Sequence, residues 1–215
     1  MPADWRTKDG PTVLWERRSP DSWKKRIIET AVRGEGTVLA DINGDGRLDL
    51  VENSFWLECP KDPMRGEWTP HRIARRWPDL LKVAVVDLNG DGRPDIVLAP
   101  SESAGWLSWF EAPADPATGA WTEHIVDPRM SYVHSLCVAD VDGDGKPDIV
   151  FAEMAQSTTK RVGFFLNGGK GRSWTLQVLA TTGSHNLVVG KTGKAGALAL
   201  VGCNWQGPPV EMWQR

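Results

Sequence analysis

The sequence predicts an all-β protein built from repeated four-stranded antiparallel sheets, and three observations carry that prediction. The 215 residues include 22 Gly and 15 Pro, a turn-rich composition that favours many short strands over long helices. Three segments nearly superimpose: ADINGDGRLDLV from Ala40, VDLNGDGRPDIV from Val86 and ADVDGDGKPDIV from Ala139. A second element alternates with them, starting at Trp15, Phe55, Trp109 and Phe164. Each copy is an aromatic strand, a turn rich in Pro, Gly or Asp, then Trp and a second alternating strand, which reads as a hairpin. Two hairpins in a period of about 50 residues make four strands per unit, the arithmetic of a β-propeller blade.

In chain order, one domain over residues 1–215 is expected to hold an outer hairpin (12–30) and three complete blades (36–75, 82–126 and 134–180). An inner hairpin (185–204) and a last strand (209–215) follow. The strands entering the acidic loops are small and β-branched (TVLA, VAVV, LCVA, LVVG), which suits innermost strands, where blades converge and space is least. The Trp-bearing strands then fill the outer wedges between blades. His71 and His124, each in a Trp-Thr-x-His run, read as outer-strand packing residues. A fourth acidic loop has decayed. Aligning His134-Ser135-Leu136 with His185-Asn186-Leu187 puts Lys191, Gly193, Ala195 and Ala199 opposite Asp140, Asp142, Asp144 and Asp148. The closing sequence PVEMWQR repeats TVLWERR of the first hairpin, so one strand is surplus to four closed blades. A four-bladed ring, half of a two-chain ring and a stretch of a longer propeller all fit this count, and the second makes an oligomer.

Each loop reads Asp-x-(Asn/Asp)-Gly-Asp-Gly-(Arg/Lys)-x-Asp. Oxygen side chains fall at positions 1, 3, 5 and 9, and position 7 can offer its carbonyl. A bidentate carboxylate or a water completes the six or seven oxygens that calcium takes. The absence of sulfur and imidazole favours calcium over zinc or copper. The expected Ca2+ ligands are Asp41, Asn43, Asp45, Arg47 (carbonyl) and Asp49 in the first loop, and Asp87, Asn89, Asp91, Arg93 (carbonyl) and Asp95 in the second. The third supplies Asp140, Asp142, Asp144, Lys146 (carbonyl) and Asp148. The first loop also satisfies an EF-hand expression through Glu52, but Leu98 and Phe151 stand at that place in the other two and the flanks alternate as strands. About three calcium ions are expected, and none in the fourth loop.

The formal net charge of −3 averages over two populations. Ten of the 28 acidic residues lie in the three loops, and all residues other than those ten acids together carry +7. Overall this balance gives no reason to expect a nucleic-acid partner. The longest apolar stretch, Ala195 to Cys203, is too short to span a bilayer, so no membrane partner is expected. The start, MPADWRTKDG, has no apolar signal-peptide core. Cys59, Cys137 and Cys203 have no metal-type spacing. Gly190-Lys191-Thr192 lacks the first glycine of a phosphate loop, and no GxSxG elbow occurs. The basic clusters Arg17-Arg18, Lys24-Lys25-Arg26 and Arg75-Arg76 read as solvated outer strands, or as attractors of acidic glycans.

The loops and alternating hairpins resemble FG-GAP/VCBS repeats, the calcium-loop propeller repeats also found in integrin α-chain heads. The resemblance covers essentially the whole chain. It implies a calcium-stabilised binding or scaffold module that recognises carbohydrate or protein, in an extracellular or periplasmic setting.

A second site is suggested by His134 and His185, which occupy equivalent places just before two innermost strands, near one mouth of a central channel. Glu153 follows the next strand of its blade. Two imidazoles and a carboxylate can hold a zinc-type ion with a position left for water. Without metal, the same groups can do acid–base work on a sugar, with Tyr132 as a further proton carrier. They can equally be strand caps and a solvated acid. The block His134-Ser135, Ala152-Glu153-Met154, Ser184-His185-Asn186 and Asn204-Trp205 resembles bacterial FG-GAP-like proteins. Related propellers carry polysaccharide-lyase activity, and aldos-2-ulose dehydratase has a propeller with a zinc-bearing cleft. That resemblance implies a metal-assisted carbohydrate lyase or dehydratase as the alternative function. His134, His185, Glu153 and Tyr132 would be its catalytic groups, and Asn186, Asn204 and Trp205 its ligand contacts.

Overall fold

The computed structural model describes residues 12–28, 34–192, 197–204 and 210–214, and all regular structure among them is β-strand. A first hairpin pairs β1 (Thr12–Ser19) with β2 (Ser22–Ile28). The first sheet runs β3 (Thr37–Ala40), β4 (Asp49–Glu52), β5 (Phe55–Glu58) and β6 (Thr69–Arg72). The second runs β7 (Leu81–Val86), β8 (Asp95–Pro100), β9 (Ala104–Glu111) and β10 (Thr122–Ser131). The third runs β11 (Val133–Ala139), β12 (Asp148–Glu153), β13 (Val162–Asn167) and β14 (Trp174–Ala180). The fourth has β15 (Asn186–Thr192), β16 (Ala197–Cys203) and β17 (Glu211–Gln214). Spatial order follows chain order, with consecutive strands antiparallel. These are the meanders expected of propeller blades.

The sheets stack through two alternating rows. Period-2 alternation sends one row to each face of a sheet. In the first three sheets one row reads Val38–Val51–Trp56, Ala84–Val97–Trp109 and Cys137–Val150–Phe164. Each of these packs on the opposite-facing row of the next sheet: Val85–Ile96–Phe110, Val138–Ile149–Phe165 and Val189–Leu200–Trp213. β7 accordingly touches β3 and β11, and β11 touches β15. The first hairpin adds Leu14 and Ile28 to Leu50, Leu57 and Trp68 on the outer half of the first sheet. Arg26 fastens it there by donating to the carbonyls of Pro63 and Gly66.

The two Trp-Thr-x-His runs build one device twice. Trp56 stacks on His71 and Trp109 on His124, with ring centroids 4.3 Å apart in both. Glu58 and Glu111 hold the imidazoles at 3.0 and 2.9 Å. Trp109 Nε1–H also donates to the carbonyl of Gly171 in the third sheet. A Cβ at Gly171 would come within 2.6 Å of the Trp109 ring, and its φ of +63° belongs to glycine.

Candidate functional site

The three acidic loops share one hydrogen-bond plan. Each joins the first and second strands of its sheet and carries two glycines with φ between 75° and 86°, a conformation L-residues rarely adopt. The leading aspartate caps the coil. Asp41 accepts from the N–H groups of Gly44, Asp45 and Gly46, and Asp87 does the same from Gly90, Asp91 and Gly92. Asp140 accepts from Gly143 and Gly145. The closing aspartates Asp49, Asp95 and Asp148 are buried, at no more than 1% exposure. Each bridges two backbone N–H groups, one in its loop and one at or just beyond the end of the third strand. These are Ile42 and Cys59, Leu88 and Ala112, and Val141 and Asn167, at 2.8–3.0 Å. Burial raises all three carboxyl pKa values, that of Asp95 to about 6.

The position-7 residues do more than offer a carbonyl. Arg47, Arg93 and Lys146 fold their charged ends onto Asp45, Asp91 and Asp144. In the third loop, ligand oxygens of Asp140, Asp142 and Asp148 lie within 4.8 Å of one another. The first two loops place Asn43 and Asn89 where the third has Asp142. The donor set is all oxygen in each loop, which fits a hard divalent cation.

A second cluster forms where the first strands begin, about 20 Å from the loops along a strand of six residues' rise. His134 and His185 stack with ring centroids 3.9 Å apart. His134 Nδ1–H donates to the His185 carbonyl at 3.2 Å, and Ser135 Oγ donates to the same oxygen. His134 Nε2 faces two carboxylates from other sheets, Glu35 Oε2 at 3.2 Å and Glu102 Oε1 at 3.4 Å. Lys82 Nζ stands 3.9 Å from Glu35 Oε2 and donates to the Glu35 carbonyl. Burial lowers the pKa of His185 and of Lys82 and raises that of Glu102.

The other residues picked from the sequence have different seats. Glu153 is fully buried and belongs to a separate network. Its carboxylate accepts from Arg161 at 2.8 Å, from Ser157 at 3.0 Å and from Thr159. Burial alone would raise its pKa, but the bonds from Arg161 and Thr159 and the Arg161 charge bring it below the ordinary value. Tyr132 sits at φ 50°, its N–H bonded to the Ser103 carbonyl and its own carbonyl to Met154 N–H. Asn186 reaches His185 Nδ1 at 3.3 Å, while Asn204 donates to the carbonyls of Thr182 and Gly183. Trp205 lies outside the described residues. Glu35, Lys82 and Glu102 did not emerge from the sequence. A signal for Glu35 existed, because it stands three residues before Val38, as His134 stands before Cys137 and His185 before Val188.

Comparison with known proteins agrees with the repeat pattern. The family model described as FG-GAP-like repeat matches residues 87–151, and the one described as FG-GAP repeat matches residues 132–176. No curated protein matches the chain. FG-GAP repeats occur in general in extracellular or surface proteins. Over residues 87–176, these two matches support an FG-GAP repeat family.

Proposed function

We propose that the protein is a calcium-stabilised, propeller-like binding or scaffold module. One observation carries this reading: the same oxygen-only loop closes three consecutive sheets, each time through a buried aspartate that ties the loop to the third strand. A cation in such a loop neutralises carboxylates that otherwise repel one another. Asp41, Asn43, Asp45 and Asp49, with their counterparts in the other two loops, would hold it. Calcium bound only to the folded state adds about 2.7 kcal/mol per site at a hundredfold excess over Kd. An extracellular or periplasmic setting suits loops of this kind, since extracellular calcium modules work at about 10⁻⁴–10⁻³ M. The ligand we propose is a carbohydrate or a protein.

Thermal melting of the full chain with calcium and with chelator tests the stabilisation, and equal melting temperatures would refute it. Binding to arrayed glycans in calcium tests the ligand class. A second reading, a metal-assisted carbohydrate lyase or dehydratase, draws support from the stacked His134–His185 pair. In that reading Glu35 and Glu102 replace Glu153 as the carboxylates beside the imidazoles. Turnover of polysaccharide that disappears in His134→Ala would favour it.

A further inference from the structure

The cluster at the start of the first strands has a composition unlike that of the loops. We infer that Glu35, Glu102 and His134 form a site for a zinc-type divalent cation, separate from the calcium loops. The three residues come from three different sheets: Glu35 precedes β3, Glu102 follows β8 and His134 lies in β11. Their donor atoms all lie within 4.8 Å of one another. Nε2 of His134 is 3.2 Å from the Glu35 oxygen and 3.4 Å from the Glu102 oxygen. Metal–ligand bonds of about 2.0–2.1 Å in a tetrahedron give ligand–ligand edges of about 3.3 Å. Two of the three edges therefore already have the length that such an ion needs.

The hydrogen bonds around His134 fix which nitrogen faces the carboxylates. The His185 carbonyl can only accept, so Nδ1 must carry the proton that it receives. Nε2 is then the nitrogen that faces both carboxylates, placed to ligate an ion held between them. A backbone carbonyl on the far nitrogen is also the usual support of a metal-bound imidazole. Glu35 Oε2 is shut off from solvent and lies 3.2 Å from His134 Nε2 and 3.9 Å from Lys82 Nζ. Lys82 offers one positive charge nearby, but its hydrogen bond goes to the Glu35 carbonyl.

One imidazole nitrogen and two carboxylates are a zinc-type donor set, whereas the loops are oxygen-only. Two kinds of cation would thus be sorted by donor chemistry within one chain. His185 stacks flat on His134 and its Nδ1 faces Asn186, so it walls the site and leaves the fourth position to water. This ligand set replaces the His134, His185 and Glu153 trio expected from sequence.

The test titrates the full chain, saturated with calcium, with Zn2+ by calorimetry and with Co2+ by visible absorption. One ion per chain is expected, with the strong visible bands of tetrahedral Co2+. Glu35→Gln, Glu102→Gln and His134→Ala should each weaken binding at least about tenfold. Asp21→Asn, in the exposed turn of the first hairpin, should leave it unchanged. If His134→Ala fails to fold, the two glutamine variants, which keep shape and hydrogen-bonding capacity, carry the comparison. No stoichiometric binding by the wild type, or undiminished binding by the glutamine variants, would overturn the site. So would ¹⁵N NMR showing a proton on His134 Nε2 in the presence of Zn2+, because His134 is then an imidazolium ion-paired to both carboxylates.

Discussion

The third and fourth sheets share a strand plan and differ in loop and cover. β12 pairs β13 as Ile149–Phe165 and Val150–Phe164, and β16 pairs β17 in the same register as Leu200–Trp213 and Val201–Met212. Asp148 sits opposite Ala139 at the loop end of the third sheet, and the aligned Ala199 sits opposite Gly190 in the fourth, where pairing runs on to Thr192 and Ala197. The fourth sheet thus keeps its register without an acidic loop. One face differs as well. Phe164 is 4% exposed under the fourth sheet, while its counterpart Met212 is 60% exposed and Val188, on the same row of the fourth sheet, is 64% exposed. The row is written into both sheets, but only a neighbour buries it. Register is therefore a property of the strands, and burial of the row is added by the covering sheet.

The sharpest way to break this comparison is to place a charge on the same row in both sheets. Val150→Asp buries an unpartnered carboxylate and should cost more than about 4 kcal/mol, seen as unfolding at low urea. Val188→Asp meets solvent and should stay within about 0.5 kcal/mol of the wild type. Equal losses would mean that the fourth sheet's face is not free.

Next in size is Glu153, whose place in the fourth sheet belongs to Asn204. Glu153→Ala leaves Arg161 with Asp127 as its remaining carboxylate and should cost about 3 kcal/mol. Asn204→Ala removes two neutral bonds to the carbonyls of Thr182 and Gly183 and should cost about 1 kcal/mol. The two should also differ with pH. The folded pKa of Glu153 lies below its ordinary 4.5. Its contribution is thus complete above that pH and is lost as pH falls through the folded value. Urea midpoints should show the Glu153→Ala penalty shrinking in acid and the Asn204→Ala penalty holding constant.

A smaller effect comes from Asp148→Ala, which copies the fourth sheet's Ala199 into the third. It frees the N–H groups of Val141 and Asn167 and should cost about 2 kcal/mol without calcium, more when calcium is present. The register of β12 and β13 should survive, as judged by NMR contacts between Val150 and Phe164. Loss of that register would show that the fourth sheet is held by something other than its strands.

Much of this was legible because it is local. The alternating rows and the Asp-Gly turns are period-2 and turn-chemistry signals, and they locate the strands and loops. The stacked His71 and His124 follow from the same pattern. What escaped involves partners chosen by tertiary contact. Glu153 does leave its strand at the same end as His134, but Arg161 and Thr159, in the turn after β12, draw its carboxylate away. Glu102 reaches His134 from another sheet, and no spacing along the chain encodes that meeting. Glu35 was readable only through the repeat register. The pairing of Arg47, Arg93 and Lys146 with their loop carboxylates was missed because the loop pattern assigns those positions by their backbone.

Calorimetric melting of the full chain in calcium and in chelator, for the wild type and for Asp41→Ala, Asp87→Ala and Asp140→Ala, is the most direct test of the central claim. The account predicts a higher melting temperature in calcium, with part of that gain removed by each substitution, while Lys191→Ala, at the position in β15 that aligns with Asp140, leaves it intact. A melting temperature indifferent to calcium in the wild type would contradict it.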